Sequence, residues 1–181
     1  MSRHLIGDEA DHAELRREQW RKELPDVDTI GMAIFGRARL TTMLARTAIE
    51  EVFSRHGLDT GEFDVLATML RSGAPYRLRP TELFKSLMIS SGGLTARLSR
   101  LEKAGLVTRH RSENDARSLM VELTPDGRAL AERAFCEDMA VEAHLLEGLA
   151  KEEREQLATL LSRLWHVVHK RVAGDDAASR R

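Results

Sequence analysis

Residues 79–124 read RPTELFKSLMISSGGLTARLSRLEKAGLVTRHRSENDARSLMVELT, and the order of patterns within them decides the fold. In 80–87, Leu83, Phe84 and Leu87 fall at i, i+1 and i+4, one apolar helical face. Met88-Ile89-Ser90-Ser91 breaks the pattern, and a second helix is expected over about 91–104, with Leu94, Leu98 and Leu101 at i, i+4 and i+7. Ser90 or Ser91 supplies the capping hydroxyl for its first free N–H groups. Gly105 ends it, because glycine enters the left-handed conformation without steric cost. Residues 106–110 and 119–123 are short strand-like runs, and 111–117 between them is a charged loop tip with turn residues. Helix, turn, helix and hairpin in that order make a winged helix-turn-helix.

The second helix has two sides. At about 100° per residue, Leu94, Leu98 and Leu101 lie within roughly 40° of one another and face the core. Gly92, Ala96, Ser99, Arg100 and Lys103 lie opposite, small, hydroxylated or cationic and never acidic. Such a face enters the DNA major groove, so Ser91, Gly92, Thr95, Ala96, Ser99, Arg100 and Lys103 are the candidate DNA contacts. Arg97 sits on the flank of the apolar stripe and can reach inward. The hairpin adds Arg109, His110, Arg111 and Arg117, and a cationic tip suits the minor groove. Arg111 and Arg117 are the candidates there, although Arg117 can instead be braced by Asp115. Residues 71–117 hold ten Lys or Arg against four Asp or Glu, a balance of +6 within a chain of net −1. The competing reading is a winged helix that packs against a protein and binds no DNA. Salt-dependent duplex affinity separates the two, since phosphate contacts release counterions.

The 181 residues fit one domain with extra helices; 42% hydrophobics suffice for a core, and 31% charged residues with four Pro point to a helix-rich chain. The fold class expected is mainly α with a small β hairpin (α+β). One cysteine, Cys136, forbids an internal disulfide and suits a reducing cytoplasm. No apolar run approaches the roughly 20 residues of a membrane span, and residues 1–18 lack the apolar region of a signal peptide. No phosphate-binding Gly loop, G-x-S-x-G or H-E-x-x-H appears, so neither an enzyme nor a cofactor is expected.

Taken in order, residues 1–7 are expected to be disordered and 8–24 an amphipathic helix, on which Ala13, Trp20 and Leu24 share a side. Trp20 either docks that helix on the body or forms a stacking wall for a flat ligand. A long helix over 29–56 carries Ile30, Ile34, Leu40, Leu44, Ile49, Val52 and Phe53, and Gly57 stops it. Asp59 or Thr60 caps the helix over 61–71, where Asp64 falls near Thr68 and Arg71, away from the apolar stripe; its plain reading is an exposed carboxylate supporting the helix start. Residues 72–78 are a loop or short strand. Thr124-Pro125-Asp126 opens a helix running to about 147. A last helix over 151–171 has a seam of Leu157, Leu160, Leu161, Leu164 and Val168, and 173–181 is a disordered tail. The long terminal helices, 29–56 and 125–171, carry more apolar surface than the winged core can cover. A second copy would bury it, and a two-fold dimer would set two recognition helices about one DNA turn apart on a palindromic site.

The chain resembles the MarR family of bacterial regulators over 29–171. The likeness is carried by Pro80-Thr81-Glu82-Leu83, by Gly93-Leu94-Thr95-Ala96-Arg97-Leu98 with Leu101-Glu102-Lys103-Ala104-Gly105-Leu106-Val107, and by Asp115-x-Arg117 before Val121-x-Leu123-Thr124. The resemblance implies a winged-helix domain over 29–172 with its DNA-binding part at 60–124. It also implies a homodimer that represses transcription until a small aromatic anion releases it. Residues 1–28 are then an N-terminal extension with an extra helix. That extension, with Gly61-Glu62-Phe63-Asp64-Val65-Leu66 and Ser90-Ser91-Gly92-Gly93, is similar to the urate-responsive, PecS-like branch. The branch's ligand site, carried over residue by residue, is Trp20, Asp64, Arg97 and Arg109. One departure is Arg79, where the family often has a capping hydroxyl before the Pro.

Two features compete for other roles. His166-x-x-His169 shares a helical face and has the spacing of metal ligands, but no Cys lies nearby, and solvated histidines are the simpler reading. Cys136 beside Phe135 reads as a buried small hydrophobe rather than an oxidation sensor.

Overall fold

A computed structural model of the chain describes residues 12–87, 93–111 and 119–178, with side chains through 173. Its elements are α1 (His12–Glu23), α2 (Ile30–Arg55), α3 (Thr60–Arg71), β1 (Arg77–Leu78), α4 (Pro80–Ser86), α5 (Leu94–Lys103), β2 (Val107–Arg111), β3 (Leu119–Leu123), α6 (Pro125–Leu145) and α7 (Lys151–Ala178). The fold is helical with one small sheet, as the patterning implies. The sheet has three strands rather than two, in the order β1-β3-β2, both pairs antiparallel. Arg77 lies opposite Glu122 in the register and donates to its carboxylate at 3.0 Å, so the short β1 is held by an ion pair as well as by its ladder.

Local chemistry explains the boundaries. Asp59 Oδ1 accepts from the Glu62 amide at 2.7 Å while Glu62 Oε2 accepts from the Asp59 amide at 3.0 Å, a reciprocal capping box that starts α3. At α4 the Glu82 carboxylate accepts from the Arg79 amide at 2.8 Å, so the missing hydroxyl is partly made good from three residues on. Helix α5 starts at Leu94 rather than near 91, because Gly93 adopts φ +103, which no residue inside a right-handed helix can hold. Its end at Gly105 is as expected, with φ +72. The Thr124 hydroxyl accepts from the Gly127 amide at 2.9 Å and donates to the Gly105 carbonyl at 2.7 Å. Helix α7 continues to Ala178 instead of stopping at Arg171, in a stretch that contains no proline and three alanines. Residues 1–11 and 179–181 lie outside the described residues.

The chain divides into a unit ending at Val141 and a second unit, Glu142–Arg181. In the first, Val52 and Phe53 of α2, Phe63, Leu66 and Met69 of α3, Leu83 of α4, Leu98 and Leu101 of α5, and Val107, Val121 and Leu123 of the sheet form one core. Phe53 stacks on Phe63 with ring centroids 4.0 Å apart. Each fully buried aliphatic side chain contributes about 1.5–3 kcal/mol relative to exposure. On α6, Gly127 is required by space: a β-carbon there would meet the Leu106 carbonyl oxygen at 1.9 Å. The start of α6 therefore rests backbone to backbone on the corner between α5 and β2. Ala13 of α1 is buried. Trp20 and Leu24, expected on the same side of α1, are half exposed. In the second unit, α7 leaves Leu157, Leu160, Leu161 and Trp165 exposed.

Candidate functional site

Two arginines one turn apart on α5 straddle the first turn of α3. Arg97 lies over Gly61: a β-carbon there would stand 2.2 Å from its Nε and 2.3 Å from its Cζ, so the guanidinium fills the space a side chain would need. Arg100 donates through Nε to Glu62 Oε1 at 2.5 Å and through Nη2 to Asp59 Oδ2 at 2.8 Å. Each carboxylate thus spends one oxygen on the capping box and the other on Arg100. Glu62 is buried, and its hydrogen bond to Arg100 holds the guanidinium in its charged form more firmly than usual. Arg100 was expected on the outer face. Its side chain is about half exposed there, and it also reaches across to two carboxylates about 40 residues earlier in the chain.

Asp64 is half-buried rather than exposed. Burial pushes its carboxyl above the usual range, and Arg97 and then Arg71 pull it part of the way back, with Asp59 adding repulsion. Asp64 therefore lies in the field of Arg97 and of Arg71, without an ion pair to either. Arg109 of β2 is committed elsewhere: its Nε donates to Glu102 Oε2 at 2.8 Å, its Nη2 pairs with the same oxygen, and Nη2 reaches Ser99 Oγ at 3.3 Å. This bond holds the Glu102 carboxyl below the usual range and ties the wing to α5. Trp20 belongs to neither group. It lines a separate pocket of about 320 Å³ with Leu24, Val27, Asp28, Thr29 and Met32.

The outward side of α5 differs in kind. Thr95, Ala96, Ser99 and Lys103 are exposed. Thr95, Ala96 and Ser99 share a shallow cleft of about 810 Å³ with Pro80, Thr81, Phe84 and Lys85 of α4. Among the described residues no carboxylate lines the cleft. Arg111 is exposed at the end of β2, whereas Ser91, Gly92 and Arg117 lie outside the described residues.

Residues 56–118 match the model of the MarR family. The regulator PecS of Dickeya dadantii (strain 3937) is 40% identical over 155 residues, which span 85% of this chain and 93% of that protein. The chain belongs to the MarR family. Among solved structures it is similar to AbsC, a MarR family regulator of Streptomyces coelicolor (TM-score 0.68, 22% identity, 80% of this chain and 97% of that one). It is also similar to a mutant MarR of E. coli complexed with operator DNA (TM-score 0.63, 24% identity, 80% and 96%). The protein is thus a DNA-binding transcriptional regulator of the MarR/PecS type, and its relatives are regulators rather than enzymes.

The remaining features fit a MarR-type chain without adding chemistry. Trp165 stacks on His169 at 5.0 Å and meets His166 edge-on at 4.8 Å, so both histidines pack on an indole. Among the described residues no group of three or more His, Cys, Asp or Glu is arranged to hold a metal, and no helix is long and apolar enough to cross a membrane. Cys136 is exposed, not buried: on α6 it is Ala131, Ala134 and Asp138 that turn inward, and 136 falls between them. Sequence reading passed over Arg100's carboxylate partners and the Gly61 seat. The Asp-x-x-Glu spacing of 59 and 62 signals the capping box, but nothing local signals that both acids also hold Arg100.

Proposed function

We propose that this regulator is a homodimeric repressor that leaves a palindromic operator when a planar aromatic anion such as urate pairs with Arg97 and displaces Asp64. The observation that supports this is the half-buried Asp64 carboxylate in the field of the Arg97 guanidinium, which belongs to the recognition helix and is seated over Gly61. A carboxylate that burial already disfavours is readily exchanged for a ligand anion with a better fit to the guanidinium fork. Because Arg97 belongs to α5, the exchange distinguishes a DNA-competent pose from a released one, the differential contact a switch requires. Thr95, Ala96, Ser99 and Lys103, with Arg111 of the wing, are the proposed DNA contacts. Trp20 and Arg109 are not part of the cluster, so the ligand reading rests on Arg97 and Asp64.

Dimerisation is supported by apolar residues left open: Ile30, Ile34, Phe35 and Leu44 on α2, and the seam of α7. Such a protein would work in the cytoplasm, where the DNA is. The test is a duplex titration against DNA flanking its own gene, with and without urate, in wild type and Arg97→Ala, with sedimentation to give the oligomer. Release of wild type by urate, with the mutant indifferent, is the expected result. Binding that urate leaves unchanged would remove urate as the effector and keep the family assignment.

A further inference from the structure

Base edges in the major groove answer to different side chains: Arg or Lys takes guanine, Asn or Gln takes adenine, a carboxylate takes cytosine, and an apolar group takes the thymine methyl. Helix α5 has no Asn or Gln. Its one carboxylate, Glu102, accepts from Arg109 at 2.8 Å. Arg97 lies over Gly61, and Arg100 bonds to Glu62 and Asp59. Lys103 is the last residue of the helix, whereas base edges meet the N-terminal residues of a recognition helix. Ser99 Oγ takes a bond from Arg109 at 3.3 Å, and a hydroxyl pairs with donors and acceptors alike, so it tells bases apart poorly. That leaves Thr95 and Ala96, near the start of α5 and both exposed. Each offers a methyl group. Both line the cleft shared with α4, and the exposed ring of Phe84 lines it with them.

We infer that Thr95 and Ala96 are the specificity-determining residues of this helix, and that the base they select is thymine, by its methyl group. This rests on the DNA contacts proposed above and deepens them by naming the base. A thymine methyl set against the Thr95 γ-methyl or the Ala96 β-carbon removes apolar surface from water on both partners. Cytosine in the same place offers no methyl to bury. Successive residues stand about 100° apart on a helix, so the two side chains meet two different thymines. Phe84 extends the apolar wall from the α4 side. The exposed Lys85 and Lys103 then serve phosphates, which position the protein without reading sequence. Charge supplies affinity under the start of α5, and carbon supplies the choice of base.

The experiment uses the full chain and the tightest duplex selected from a randomised pool, with each thymine of one half-site replaced singly by deoxyuridine. The replacement deletes one methyl and leaves every hydrogen-bonding group in place. At two positions it should weaken binding about fourfold, the worth of one buried methyl-sized group. Thr95→Ser, which keeps the hydroxyl, should abolish the penalty at one of those positions, and Ala96→Gly should abolish it at the other. Each penalty is a ratio within one variant, so a loss of overall stability cancels from it. Affinity that no deoxyuridine changes, or positions that stay sensitive in both variants, would overturn the inference. Ala96→Glu tests the underlying contact separately, by turning a carboxylate toward the phosphates, and should lower duplex affinity about tenfold or more. Full affinity in that variant would sink the DNA-contact reading and this inference with it. Lost affinity in that variant, together with wild-type indifference to deoxyuridine, would sink the thymine inference alone.

Discussion

The two flanks of α5 carry cations within a few residues of one another, and they do opposite things. On the flank toward α3, Arg97 and Arg100 are taken up by Gly61, Asp59 and Glu62. On the outer side, Lys103 stands exposed beside Thr95, Ala96 and Ser99. A basic residue on a recognition helix is therefore not by itself a DNA contact. The inner pair fixes how the helix is held, and the outer row is what the helix presents. This contrast breaks or sharpens at four places.

Both flanks depend on the buried seam between them. Leu101→Ala should cost about 2–5 kcal/mol in chemical denaturation and abolish duplex binding and any ligand response together. Loss of one without the other would show that the flanks are mechanically independent. Next comes the inner flank. Glu62→Ala removes half of the capping box and one of Arg100's two anchors, and should cost about 0.5–2 kcal/mol. Duplex affinity should fall while its slope against log salt stays unchanged. A slope that falls would make Arg100 a phosphate contact after all. For the outer flank, Lys103→Ala should leave stability within about 0.5 kcal/mol and lower the salt slope by about 1. The smallest effect is expected at Asp64. Its folded carboxyl binds the proton more tightly than the unfolded one, so ionisation at neutral pH works against the fold. Asp64→Asn should raise Tm slightly at pH 7, and the gain should vanish as pH falls below the unfolded value. A lower Tm at pH 7 would mean that pairing with Arg97 outweighs burial.

Much of this was legible in the sequence because its causes are local. Gly105, Gly57 and the Thr124-Pro125 start act on their own neighbours, and the Leu94, Leu98, Leu101 spacing marks the buried side of α5 without reference to anything else. The start of α5 at Leu94 follows from Gly93, already in the left-handed region, whereas the serines at 90 and 91, the expected caps, lie outside the described residues. Arg100 lies about 100° from Leu101 around the helix, a position from which an arginine can turn either way. Only carboxylates brought from α3 decide the matter, and helical periodicity does not contain them. Gly61 is a similar case: a glycine near a helix start reads as a turn residue until a guanidinium is seen filling the space above it. Asp64 and Arg97 come from the resemblance, and the structure adds that Asp64 is half-buried, which no local pattern signals. Trp20 and Arg109 came by the same route, and the fold of the single chain places them apart from that pair.

The contact of Gly127 with the Leu106 carbonyl has a mechanical consequence. With no side chain between the two backbones, the corner of the winged unit and the first turn of α6 have almost no compliance and must tilt as one piece. Helix α6 has 21 residues, so it is about 30 Å long, and a tilt of roughly 5° at that joint sweeps its far end by about 3 Å. In the two-fold dimer proposed above, the separation of the two recognition helices would be set by an angle, and a small displacement at this joint would be read out as a mismatch with the pitch of the DNA.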